Sequence, residues 1–182
     1  LERDIEALAI NMIAKWQPMA NDLRYIVSSL RVAADIERLG DYSKNMAKRT
    51  TALNQVAATP MTPSILRMAK LVQVMMHNVF DAHMQLDTKK AIQVWEADAE
   101  VDNFYTSLFR ELLTYMMEDP RHITPCTHLL FIAKNMERMG DLATNIAETV
   151  YYLVEGQPLT DKRPKADFST YTVIEPNEKP GK

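Results

Sequence analysis

Glycine is scarce in this chain of 182 residues, with only 4, and its place is taken by 12 Met and long runs of Ala, Leu, Met, Glu, Lys and Arg. Those residues lose little rotamer freedom in a helix, so turn-dense sheet architectures are disfavoured and helices are expected. Cysteine is almost absent as well. Cys126 stands alone, which excludes an internal disulfide framework and suits a reducing compartment. No apolar run approaches the roughly 20 residues needed to cross a bilayer. Charge of one sign is also lacking: a net charge of -3 supplies no basic field for nucleic acid and no strongly acidic tail. What remains, 47% hydrophobic and 25% charged residues, is the balance of a folded globular chain with room for one or two cores.

The breaks in helical pattern divide the chain. Residues 1–15 carry Leu1, Ile5, Leu8 and Met12 on one face, and Trp16-Gln17-Pro18 interrupts them because proline removes a backbone donor. A long helix is expected from Met19 to Leu53, with Leu23, Val27, Leu30 and Ala34 as its core stripe. Asn54 to Pro63 reads as a linker. A third helix runs from Ser64 to Leu86, and a fourth from Lys90 to Met117 with Thr88 as its N-cap. The last begins near Pro125 and stops at Gly156 with Pro158 beyond. Residues 157–182 read as a mobile tail, and the alternation at Phe168–Ile174 lies within it without an evident partner strand.

An internal repeat emerges on shifting the sequence by 100 residues. Arg31–Lys48 then aligns with Phe131–Glu148, and seven of eighteen pairs are identical, including Glu37/Glu137, Arg38/Arg138, Gly40/Gly140, Asp41/Asp141 and Asn45/Asn145. Identities at polar and glycine positions are not what two unrelated amphipathic helices would share, so a duplication is inferred.

Positions four apart share a helical face. Glu37, Asp41 and Asn45 continue the stripe of Leu23, Val27, Leu30 and Ala34, and Glu137, Asp141 and Asn145 continue that of Leu130 and Ala133. In the preceding helix Ala91, Val94, Asp98, Asp102, Tyr105, Phe109 and Leu112 form one stripe, which places two more acids where apolar residues belong. Buried carboxylates need protonation, arginine pairing or a cation. Arg38 and Arg138 point about 100° away from the neighbouring glutamates. An all-oxygen cluster of Asp98, Asp102, Glu137 and Asp141 would suit a hard cation. Mid-helix Gly40 and Gly140 predict close approach of another helix or a ligand.

With these residues placed, the chain resembles the PhoU family of phosphate-uptake regulators. The resemblance lies in Gln17-Pro18-Met19-Ala20-Asn21-Asp22-Leu23-Arg24, in Ala34 to Asp41 with Asn45, and in Asn135 to Asp141 with Asn145. It implies an all-α fold of two tandem three-helix bundles, with a partial first unit at 1–56, a second at 64–156 and the tail at 157–182. In family members, pairs of the form Glu/Asp-x-x-x-Asp bind metal ions, in some as iron or zinc clusters. On that pattern Glu37, Asp41, Asp98, Asp102, Glu137 and Asp141 are candidate ligands for a divalent or trivalent ion such as iron, zinc, manganese or magnesium. The resemblance further implies a cytoplasmic, often dimeric protein, peripheral to the inner membrane through its partners, that represses the phosphate-starvation response. Those partners are the phosphate ABC transporter's ATPase subunit and a sensor histidine kinase, with no nucleic acid and no membrane insertion. Aligning the two copies, the first unit's opening helix and the acidic start of its second fall ahead of Leu1, so five helices are expected instead of six. Apolar surface at Leu23, Val27 and Leu30 should then be exposed.

The alternative is a helical carboxylate protein that stores metal or catalyses with it, without a signalling role. Di-iron carboxylate oxidases need Glu-x-x-His motifs, and none is present. His77, His83, His122 and His128 lack ligand spacing, Cys126 reads as a small core residue, and no phosphate loop or nucleophile elbow occurs, so no enzymatic activity is expected.

Overall fold

The computed structural model describes residues 1–55 and 62–160. The middle of the expected linker and most of the C-terminal segment, including Phe168–Ile174, lie outside the described residues. Among the described residues there are five α-helices: α1 Glu2–Trp16, α2 Asn21–Leu53, α3 Thr62–Gln85, α4 Thr88–Glu118 and α5 Ile123–Glu155. Among the described residues there is no strand, and the fold is all-α as expected.

Local chemistry sets the helix ends. Gln17 adopts left-handed backbone (φ 45°, ψ 54°), and its N–H donates to the Ile13 carbonyl at 3.1 Å before Pro18 blocks continuation. Asp87, not the expected Thr88, caps α4. Its carboxylate accepts from the N–H groups of Lys89 and Lys90, both at 3.0 Å. An anion there also meets the positive end of the helix dipole, which a hydroxyl cannot match. A short 3-10 turn at Pro120–His122 joins α4 to α5. Hydrogen bonds from Arg121 pull the Asp119 carboxyl beside it down to about 2. Gly156 ends α5 with φ 76°, and its N–H donates to the Tyr152 carbonyl at 3.0 Å.

Helix α5 is the hub, packing against α2, α3 and α4, while α3 also packs on α4 and α1 on α2. Met68, Val72 and Val79 of α3, Leu108 and Leu112 of α4, and Ile146 and Val150 of α5 are buried together in the core. Each such side chain contributes about 1.5–3 kcal/mol by leaving water. The seam between α2 and α5 is of another kind. Arg24 and Arg31 of α2 lie over the Tyr152 ring, Arg49 lies over Phe131 at 3.9 Å, and Arg138 of α5 lies over Tyr42. Each contact of this type contributes about 0.5–1 kcal/mol where water reaches it.

The face that α2 turns to the core differs from the expected one. Its buried residues are Ile26, Ser28, Val32, Ala33, Asp35 and Leu39. Leu23 is 39% exposed, and Val27, Leu30 and Ala34 are half-buried. Two adjoining stripes of α2 are apolar, and α5 takes the one through Ser28, Val32, Asp35 and Leu39. Glu37, Asp41 and Asn45 therefore face solvent, and their expected burial is corrected.

Candidate acidic site on the seam between α4 and α5

The second copy behaves as its periodicity predicts. Asp98 is 1% exposed, Asp102 2% and Glu137 5%, on stripes shared with Ala91, Val94 and Leu112 of α4 and Ala133 of α5. Asp141 and Asn145 are half-buried. Glycine brings the two helices together. A Cβ at Gly140 would stand 3.2 Å from the Asp98 Oδ1 and 3.4 Å from the Val101 Cγ1. The expected close approach is thus found, and its other side is a carboxylate. Gly40 is the contrast, because a Cβ there would meet nothing within 4 Å.

Residues that sequence reasoning passed over complete this seam. Lys134, three positions before Glu137 on α5, places its Nζ 3.0 Å from the Glu137 Oε1. The same ammonium lies 4.8 Å from the centre of the Tyr105 ring on α4. The i,i+3 spacing of Lys134 and Glu137 was the available signal. Trp95 Nε1 of α4 donates to the Glu148 Oε1 of α5 at 3.1 Å. On α2, Asp35 is a further buried acid, on the stripe that faces α5 and not on the expected one. Burial raises its carboxyl above the usual 3.8, and Arg38, at 3.9 Å, pulls it part of the way back.

A metal ion needs several donors at one point, with oxygens about 2.0–2.6 Å away for a hard cation. Among the described residues no three His, Cys, Asp or Glu side chains are grouped in that way, and a lysine ammonium already stands on Glu137. The second-copy acids share one helix seam, but in this arrangement they do not fit a resident metal. Glu37 and Asp41 lie apart from them, exposed on α2.

The other reactive side chains stay separate. Cys126 is buried, and burial pushes its thiol up. His77 lies 3.7 Å from Asp81, and burial lowers His83. Beside the α2–α5 seam a cleft of about 580 Å³ is lined by Arg31, Asp35, Arg38, Asn145, Glu148 and Tyr152. Among the described residues no helix is long and apolar enough to cross a membrane.

Known proteins share this architecture. The PhoU domain matches residues 1–50 and 65–150. A phosphate-specific transport system accessory protein PhoU homolog of Rhizobium meliloti (strain 1021) is 53% identical over 173 residues, covering 93% of this chain and 72% of that protein. The homolog of the same name from Caulobacter vibrioides is 52% identical, covering 92% and 73%. Among solved structures, PhoU from Pseudomonas aeruginosa superposes with a TM-score of 0.83 at 38% identity, covering 86% of this chain and 75% of that one. The phosphate transport system regulatory protein PhoU from Streptococcus pneumoniae gives 0.77 at 29% identity, covering 87% and 74%. On the repeated Glu-Arg-X-Gly-Asp segment, the all-α packing around α5 and these matches together, the chain belongs to the PhoU family.

Proposed function

We propose that this chain is a negative regulator of phosphate uptake and of the phosphate-starvation response. It acts as an adaptor between the ATPase subunit of a phosphate ABC transporter and a sensor histidine kinase. The observation that carries the reading is the 53% identity, over 93% of the chain, to a protein named as an accessory of the phosphate-specific transport system. The chain works in the cytoplasm, at the inner membrane through its partners, as a homodimer of two-unit protomers with units at 1–56 and 64–156. Its role is binding and not catalysis, in keeping with a buried Cys126 whose thiol is pushed up, the opposite of an activated nucleophile. Any metal it takes belongs to Glu37 and Asp41. Two exposed carboxylates leave a hard cation short of its six or more oxygens, so the remaining ligands must come from another protein segment.

Deleting the gene should derepress phosphate-starvation genes at high phosphate, and the tagged protein should retain the transporter ATPase and the kinase on a column. Unchanged repression together with neither partner retained would reject the adaptor role.

A further inference from the structure

We propose that Lys134 is a built-in cation of the α4–α5 seam: its ammonium serves the second-copy carboxylates in place of a metal ion and keeps metal out of that copy. The proposal concerns this seam alone and holds independently of the adaptor role.

Three features of the seam support it. The Lys134 Nζ lies 3.0 Å from the Glu137 Oε1, with the glutamate side chain only 6% exposed and the lysine side chain 33%. Its stem can therefore lie along the protein while the charge reaches inward. The ammonium also lies 4.8 Å from the centre of the Tyr105 ring, and Tyr105 follows Asp102 by three positions on the acidic stripe of α4. The charge thus bridges from α5 to the helix that carries Asp98 and Asp102. Finally, Gly140 draws α5 so close that the Asp98 Oδ1 is within 3.2 Å of where a Cβ would be. A metal here would have to lie beside a like charge, which disfavours it, in a seam where the helices are already in contact.

The duplication supplies an internal control. At the same shift of 100 residues that pairs Glu37 with Glu137, Lys134 pairs with Ala34. The first copy has the acidic pair without the lysine, and its acids face solvent. The two copies have diverged at the position that decides which cation is present.

The test uses the full chain in a Glu37→Gln background, which silences the first copy, with thermal unfolding and metal content as readouts. With Lys134 present, the Tm should be the same in EDTA and in excess Mn²⁺ or Zn²⁺, and no metal should survive gel filtration. Lys134→Met should lower the Tm by about 5 °C or more at neutral pH, the scale expected for a buried acid that loses its partner in a chain of this size. That loss should be recovered by Mn²⁺ or Zn²⁺, or by acid that protonates the carboxylates. Lys134→Arg keeps the charge and should stay close to the parent.

Near one metal per chain with Lys134 in place, lost on Asp98→Asn with Glu137→Gln, would overturn the proposal. So would a Lys134→Met chain as stable as the parent. A loss that neither metal nor acid recovers would overturn it too, because a lysine acting through packing alone gives that result. Should Lys134→Met fail to fold, the parent's metal content and Lys134→Arg still decide.

Discussion

Gly40 and Gly140 occupy the same place in two copies of one motif, yet their surroundings ask opposite things of them. At position 40 a Cβ would meet open space, so the glycine brings only its conformational cost. Gly40→Ala should raise stability by about 1 kcal/mol, the difference in helix propensity, or about 2–4 °C in Tm for a chain of this size. At position 140 the new Cβ would meet the Asp98 Oδ1 at 3.2 Å and the Val101 Cγ1 at 3.4 Å. Asp98 is 1% exposed and has no open side to retreat to. Overpacking costs about 1–3 kcal/mol, so Gly140→Ala should end at a net loss of about 1 kcal/mol despite the same propensity gain. Urea unfolding of the two variants checks the pair, and stabilisation by both would mean that the α4–α5 seam is looser than its geometry. Lys134 and Ala34 make the same point in charge: identical flanking letters do not give identical sites.

At the scale of the helix, α2 is the element whose partner determines its chemistry. Its face toward α5 carries Asp35, 8% exposed, with Arg38 only 3.9 Å away. Burial raises the Asp35 carboxyl in the folded chain above 3.8. A raised carboxyl favours the protonated form, so its stability contribution is complete below about pH 3.8 and is lost as pH rises through the higher folded value. Asp35→Asn, which removes the charge and keeps the shape, should therefore be more stable than the parent at pH 7. The difference should close as pH falls toward 4, and thermal unfolding across that range measures it. A variant less stable at pH 7 would mean that the Arg38 pair outweighs desolvation.

This helix also marks the limit of what could be read beforehand. The stripe of Ala91, Val94, Asp98, Asp102, Tyr105 and Leu112 was legible because α4 has one apolar face, and its acids could go nowhere else. On α2 two adjoining faces are apolar, and the choice between them is made by α5, about a hundred residues away, which helical periodicity cannot express. Periodicity and its proline and glycine breaks placed the five helices, and the repeated motif carried the resemblance to the family. The ammonium on Glu137 is a tertiary fact, since an i,i+3 pair reads the same on a wet face as in a seam.

On the whole molecule, burial is uneven. Around α5 the helices α3 and α4 enclose a full core, whereas α1 buries only Ala9. Leu8, Ile10 and Trp16 of α1, with Met19 and Tyr25 beyond it, are 59%, 60%, 79%, 80% and 54% exposed. Scattered apolar side chains are ordinary on a surface, but five this exposed on α1 and the start of α2 mark a region for association. The apolar exposure expected at Leu23, Val27 and Leu30 is thus present in part, and most of it sits one helix earlier. For the 182-residue chain itself the consequence is association: at tens of micromolar it should sediment as a dimer or larger species, and dissociate on dilution. Leu8→Lys with Ile10→Glu should shift it to monomer with little change in Tm, because neither side chain contributes to the core around α5. A chain that sediments as a monomer at high concentration would show that this hairpin face is too irregular to pair. A mutant that loses the core along with the association would show instead that α1 stabilises the bundle more than its single buried residue implies.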